Sequence, residues 1–320
     1  MTDVSPTPGS SETSPPASFY HQHVHAAFKR KQPPDYSQGN PRDWIKTIDE
    51  LLVVGRVEIA RFALQHMRKQ SPDLQWPETI LELIDLMPEG SRQAQRFVDD
   101  HKSDLQVVPR EGARTVVLGF CGRRHQLNMP HWVFQRWMAK LEVSVVYLRD
   151  FNDLCYVGGV RSCGSFEATA ERLRQVVGEL GAQRVVCIGN SSGAYGAMLY
   201  GLELGVDHVF GFSGAYNMSL EFNTYLNRNE AAVGLAEAFP DARLDLRELY
   251  LAAARRPPAE LFYGDKCWDD RIHAEHMAGV PGVELKPLRD YAGHGALPEL
   301  IRRREFDEVL ARFVAEVGDR

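Results

Sequence analysis

Arg184-Val185-Val186-Cys187-Ile188-Gly189-Asn190-Ser191-Ser192-Gly193-Ala194-Tyr195-Gly196 is the stretch that decides how this chain is read. An apolar run enters a Gly-Asn-Ser-Ser-Gly turn and leaves it as an alanine-rich helical pattern. The five-residue G-x-S-x-G match recurs by chance, so its weight comes from the flanks. A reactive serine needs its hydroxyl raised on a sharp, strained turn between a buried strand and a helix. Gly189 and Gly193 keep side chains clear of such a turn, and Ser191 points out of it. The plainer reading is a Gly/Ser-rich loop in an ordinary βαβ unit.

Working outward, strand patterns occur at Leu105–Val108, Thr115–Phe120, Val143–Leu148, Arg184–Ile188, Val206–Phe212, Glu260–Tyr263 and Val283–Leu288. Helical patterns fall at 130–141, 167–180, 192–204, 270–279 and 296–317. Such alternation predicts an α/β fold with a mostly parallel, doubly wound sheet covered on both faces, since right-handed helical crossovers join parallel strands. The site of such a sheet lies beyond the carboxyl ends of its strands. Residues 215–258 interrupt the alternation with helical patterns only, which predicts a helical cap inserted over that site.

Before residue 102 the texture differs. Residues 1–19 are rich in Ser, Thr, Pro and Gly, too polar to offset the entropy of ordering, and the region 1–40 is expected to be a largely disordered tail. His21, His23 and His25 alternate as on an extended strand, a weak metal handle with no cysteine or carboxylate beside it. Across 41–101 the spacing of Trp44, Ile48, Leu51 and Leu52, and of Val57, Ala60, Leu64 and Met67, predicts short helices in series. They are weakly similar to a tetratricopeptide array without completing a repeat. This region reads as an extension packed on the main domain or as a docking surface for a protein partner. The region of alternating strands and helices is expected at 102–320.

Composition sets limits. The 320 residues carry a formal net charge of -6, with 44% hydrophobic and 25% charged residues, which fits a globular protein and argues against a general nucleic-acid binder. No apolar run is long enough for a membrane span, and the first residues lack a secretory layout, so the cytoplasm is the expected compartment. Five scattered cysteines without C-x-x-C spacing suit reduced thiols better than disulfides or zinc.

A serine hydroxyl is a weak nucleophile at neutral pH and needs a base, which in turn needs an orienting acid. After the strand ending at Tyr263 comes a carboxylate-rich loop in which Asp270 is favoured as the acid over Asp269 and then Asp265. After Val283–Leu288 comes Gly293-His294-Gly295, where flanking glycines free the imidazole to swing, and His294 is the expected base. His273, His276 and His208 read as structural, whereas His125 and His131 are candidates to line the pocket. Arg149 and Asp150 are expected chiefly to pin a long loop.

The order of Gly189-Asn190-Ser191-Ser192-Gly193, Asp270 and Gly293-His294-Gly295 over residues 105–318 resembles the α/β-hydrolase superfamily. The resemblance implies a serine esterase or thioesterase acting on a small acyl substrate without metal or organic cofactor. It also implies an oxyanion hole, with the Ser192 amide as one donor and Cys121 or Gly122 as the other, in place of the usual His-Gly pair. Acyl transfer by the same residues, and a non-catalytic scaffold binding a partner through 41–101, are the alternatives.

Overall fold

A computed structural model describes residues 17–37, 40–88, 97–226, 229–240, 242 and 244–315. The chain divides into two compact units, Met1–Leu81 and Glu82–Arg320. The first holds α1 (Ala17–Arg30), α2 (Pro41–Val53) and α3 (Val57–Gln70), with α4 (Gln75–Leu86) running across the division. Trp44, Ile48, Leu51 and Leu52 of α2 and Ala60, Leu64 and Met67 of α3 are buried, as the 3.6-residue period demands.

The predicted tail is corrected here over residues 17–30, while residues 1–16 lie outside the described residues. Tyr20, Val24 and Ala27 recur at helical spacing and are buried, and the Tyr20 ring meets Trp44 edge-on at 4.6 Å between centroids. Burial of this stripe outweighs the ordering entropy that the polar composition of the preceding residues suggested. The three histidines therefore lie on a helix, not a strand. His21 Nε2 stands 2.5 Å from Glu50 Oε2, whereas His23 Nε2 accepts the Asp35 amide at 3.0 Å.

In the second unit β1 (Leu105–Val108), β2 (Thr115–Phe120), β3 (Val143–Leu148), β4 (Arg184–Asn190), β5 (His208–Phe212), β6 (Ala259–Gly264) and β7 (Val283–Leu288) form one sheet in the order β1-β3-β2-β4-β5-β6-β7. Only β1 runs antiparallel, against β3. Every residue of β2, β3 and β6 is buried, the signature of parallel strands covered on both faces. The crossovers supply α5 (His131–Met138), α6 (Phe166–Glu179), α7 (Ser192–Leu204) and α11 (Trp268–His276), and α12 (Ala296–Arg302) and α13 (Phe306–Val314) follow β7. The single helix expected over 296–317 is two, because Arg304 takes φ 63° and the Glu305 amide folds back on the Leu300 carbonyl at 2.9 Å.

Between β5 and β6 lie α8 (Leu220–Tyr225), α9 (Asn229–Ala238) and α10 (Leu246–Ala252), the helical insertion expected at 215–258. Its base is pinned twice to α11. The Tyr216 amide donates to His273 Nδ1 at 3.2 Å, and His276 Nε2 meets Asp245 Oδ1 at 2.8 Å. From α10, buried Tyr250 donates its hydroxyl to the Met198 carbonyl of α7 at 3.2 Å. No described helix is long and apolar enough to cross a membrane.

Under the β1 edge sits a buried polar cluster. Arg149, 1% exposed, pairs closely with Asp99 and donates to the Ser103 carbonyl at 2.7 Å. His131 Nδ1 lies 2.8 Å from Arg149 Nη2, and its Nε2 lies 3.1 Å from Cys121 Sγ. Burial lowers the His131 pKa and drives that of the Cys121 thiol far up, so both are neutral. Burial opposes the Asp99 charge, but His131 and Arg149 outweigh it and hold its pKa below the ordinary carboxylate value. His131 is thus a core residue and not the pocket lining expected of it. The Met1–Leu81 division also moves the predicted boundary at 102 back, since Asp99 belongs with this unit.

Removing one partner from a buried ion pair strands the other charge. Arg149→Met should therefore cost about 3–5 kcal/mol in urea unfolding, the range for a broken buried pair.

Candidate active site

The site is built at the carboxyl ends of β4, β6 and β7. Ser191 follows β4 directly and has φ 53° and ψ −126°, a strained conformation for a residue with a side chain. Its amide donates to the Phe212 carbonyl at 3.0 Å, and its carbonyl accepts the Ala194 amide at 3.0 Å, so the turn is held on both sides. The two glycines of the motif are sterically required. A methyl group on Gly189 would run into the Gly193 carbonyl, and one on Gly193 into the carbonyl oxygens of Phe120 and Cys121.

Ser191 Oγ lies 3.0 Å from His294 Nε2, and His294 Nδ1 lies 2.5 Å from Asp270 Oδ1. The imidazole is 54% exposed while the Asp270 side chain is 2% exposed, so the ring is open to a solute and the acid is not. Asp270 stands in the first turn of α11, where the helix dipole suits a negative charge. Among the three carboxylates weighed from sequence, Asp270 is the one that meets the ring. Asp265 instead accepts the Tyr291 amide at 3.2 Å and fixes the histidine loop, and Asp269 is half-buried one residue earlier on α11.

The donors proposed for an oxyanion fare differently. Ser192 opens α7, so its amide has no intrahelical acceptor. The Cys121 amide is given to the Leu148 carbonyl at 2.9 Å, and that of Gly122 to the Gln126 carbonyl and Asn190 Oδ1, both at 3.0 Å. Neither amide is therefore left over for an oxyanion, because the loop after β2 turns back on itself. The next residue, Arg123, is exposed.

Two asparagines that sequence reasoning passed over tie the site together. Gly122 N–H donates to Asn190 Oδ1, Asn190 Nδ2 to Asn128 Oδ1, and Asn128 Nδ2 to the His294 carbonyl at 3.2 Å. From the other side Ser213 Oγ accepts the Ala296 amide at 3.1 Å. Asn128 and Ser213 both have positive φ, 59° and 48°. Nothing in the one-dimensional pattern marks them, apart from the known tolerance of asparagine for that region. His125, the other expected pocket residue, places its Nε2 3.2 Å from the Asp150 carbonyl, and Asp150 accepts the Asn152 and Tyr156 amides at 3.0 Å each. Asp150 pins its loop, as expected.

No protein-family model and no curated protein matches the sequence. Among solved structures the chain is similar to a thermophilic esterase from Thermogutta terrifontis, with 17% identity, 67% of this chain and 90% of that one covered, and a TM-score of 0.45. It is also similar to an S-formylglutathione hydrolase from Agrobacterium tumefaciens, with 17% identity, 65% and 88% covered, and a TM-score of 0.44. The architecture itself is that of the α/β-hydrolase fold: a mostly parallel sheet with one antiparallel edge, the serine turn between β4 and α7, an acid after β6 and a histidine after β7.

The steric demand at the turn has a measurable consequence. Gly193→Ala should cost about 1–3 kcal/mol, as overpacking against fixed backbone does. Gly234→Ala, in α9 with open space around it, should instead gain about 0.5–1 kcal/mol of helix propensity. Urea midpoints of the two variants, moving in opposite directions, check both statements.

Proposed function

We propose that the protein is a serine hydrolase of carboxylic esters or thioesters, with Ser191 as nucleophile, His294 as base and Asp270 as the orienting acid. The observation that carries this reading is the unbroken chain Ser191 Oγ, His294 Nε2, His294 Nδ1, Asp270 Oδ1, with contacts of 3.0 and 2.5 Å. In that geometry the imidazole takes the hydroxyl proton as Oγ attacks the acyl carbonyl, and Asp270 holds the tautomer and stabilises the imidazolium. The Ser192 amide is one donor to the tetrahedral oxyanion. The Cys121 and Gly122 amides are engaged and do not supply the second. Collapse of the intermediate expels the alcohol or thiol with the proton from His294. Water activated by the same ring then releases the acid and restores Ser191.

An exposed His294 supports hydrolysis over transfer to another acceptor, because water reaches the base freely. The cap helices α8 to α10 enter directly after the β5 end and so stand where they would bound the acyl pocket.

A fluorophosphonate probe should label the wild-type protein at Ser191, and Ser191→Ala should abolish both labelling and turnover of p-nitrophenyl acetate. Labelling at another residue, or none at all, sinks the proposal; the absence of labelling together with a partner captured through residues 41–101 would favour a scaffold. Asp270→Asn should lower turnover by roughly 10⁴-fold, as loss of the correct tautomer does. Asp269→Asn should leave it within a few-fold, which steady-state kinetics of the two variants resolve.

A further inference from the structure

Cys267, immediately before α11, takes no part in the proposed acyl chemistry, yet its thiol stands at the acid–base pair. One donor atom from each of Cys267, Asp270 and His294 lies within 4.8 Å of the others. The second carboxylate oxygen, Asp270 Oδ2, is buried and makes no hydrogen bond. His294 and Cys267 face this carboxylate, and a buried oxygen without a hydrogen bond of its own is costly to desolvate, which makes it a candidate for a ligand. The geometry points to a zinc-class cation site formed by Cys267 Sγ, the Asp270 carboxylate and His294 Nδ1, occupation of which shuts the active site.

The donor set selects the ion. A thiolate, an imidazole and one carboxylate suit zinc and exclude the all-oxygen preferences of magnesium and calcium. Zinc–ligand bonds of 2.0–2.3 Å put tetrahedral donors about 3.5 Å apart. Donors spread between the 2.5 Å of the Asp270–His294 contact and 4.8 Å reach that spacing by side-chain rotation. The His294 ring is exposed, while the carboxylate that it meets is buried. Binding releases the Cys267 thiol proton and the Nδ1 proton of His294 to solvent, and forms one sulfur, one nitrogen and one oxygen bond to the metal. No electron transfer is involved.

The inhibitory consequence rests on the serine-hydrolase reading, whereas the cation site does not. A neutral imidazole bound through Nδ1 carries its remaining proton on Nε2. It then has no lone pair for the Ser191 hydroxyl, so the base is lost.

The test uses the full chain, freed of metal by a chelator, and cobalt as the probe. One equivalent of Co²⁺ should give a near-ultraviolet thiolate-to-cobalt absorption that zinc displaces. Cys267→Ala and Cys267→Ser should remove the absorption and weaken cobalt binding at least tenfold, and Asp270→Asn should weaken it similarly. No thiolate absorption, or one unchanged in both cysteine variants, overturns the site. Zinc should also slow fluorophosphonate labelling of Ser191 at least tenfold in the wild-type protein and not in Cys267→Ala. A cobalt band with labelling unaffected by zinc overturns the inhibitory role. Failure of the metal-free protein to label at all counts against the hydrolase reading instead, and the cobalt titration decides the site regardless.

Discussion

Ser191 can hold its left-handed backbone only because Gly193 lets the first turn of α7 press against the carbonyl oxygens of Phe120 and Cys121. A residue in this region costs about 1–3 kcal/mol and persists only where its surroundings over-determine it. Here they do. The parallel register sets Phe120 beside Gly189 and Asn190 beside Phe212, so β2 and β5 clamp β4 up to the residue before the serine. Beyond it α7 buries Ala194 through Met198 together with Tyr200 and Gly201, which anchors the downstream arm of the turn. The strain at one residue is thus offset by the hydrophobic burial of the strand and helix that flank it.

From that fixed point the other loops are registered by polar contacts and not by packing. The Asn190 side chain faces the loop after β2, and Asn128 passes the connection on to the carbonyl of His294. Ser213, at the end of β5, fixes the start of α12 just past the same histidine. The acid arrives on a helix whose second turn holds the base of the cap through His273. The helical insertion, Asp270 and His294 are therefore mechanically adjacent, and a displacement of α11 would be felt at the imidazole.

The strands Thr115–Phe120, Val143–Leu148 and Val283–Leu288 and the helix 192–204 were legible to the residue, since apolar runs bounded by turn residues leave little freedom of placement. Ser191, Asp270 and His294 were legible as an ordered set and are brought together in space. What escaped is what one dimension does not encode. The antiparallel sense of β1 depends on a pairing partner far along the chain. The stripe of Tyr20, Val24 and Ala27 was masked by its Ser/Pro-rich neighbours. The bridging role of Asn128 spans 166 positions to His294, and the diversion of the Cys121 and Gly122 amides follows from how tightly one loop turns. His131 was misplaced because a histidine near a strand end looks the same whether it faces solvent or a buried guanidinium.

Asp99 gives the second unit an anchor upstream of its first strand. A fragment beginning at residue 102, where the texture of the sequence changes, would keep all seven strands and every residue of the candidate site. It would nonetheless leave the Arg149 guanidinium beneath the β1 edge without its counter-ion, in a place water does not reach. The minimal heritable module of this fold is therefore longer than its sheet. Any rearrangement that joins a different leader to the sheet has to bring along the segment containing that carboxylate, or supply another in its place.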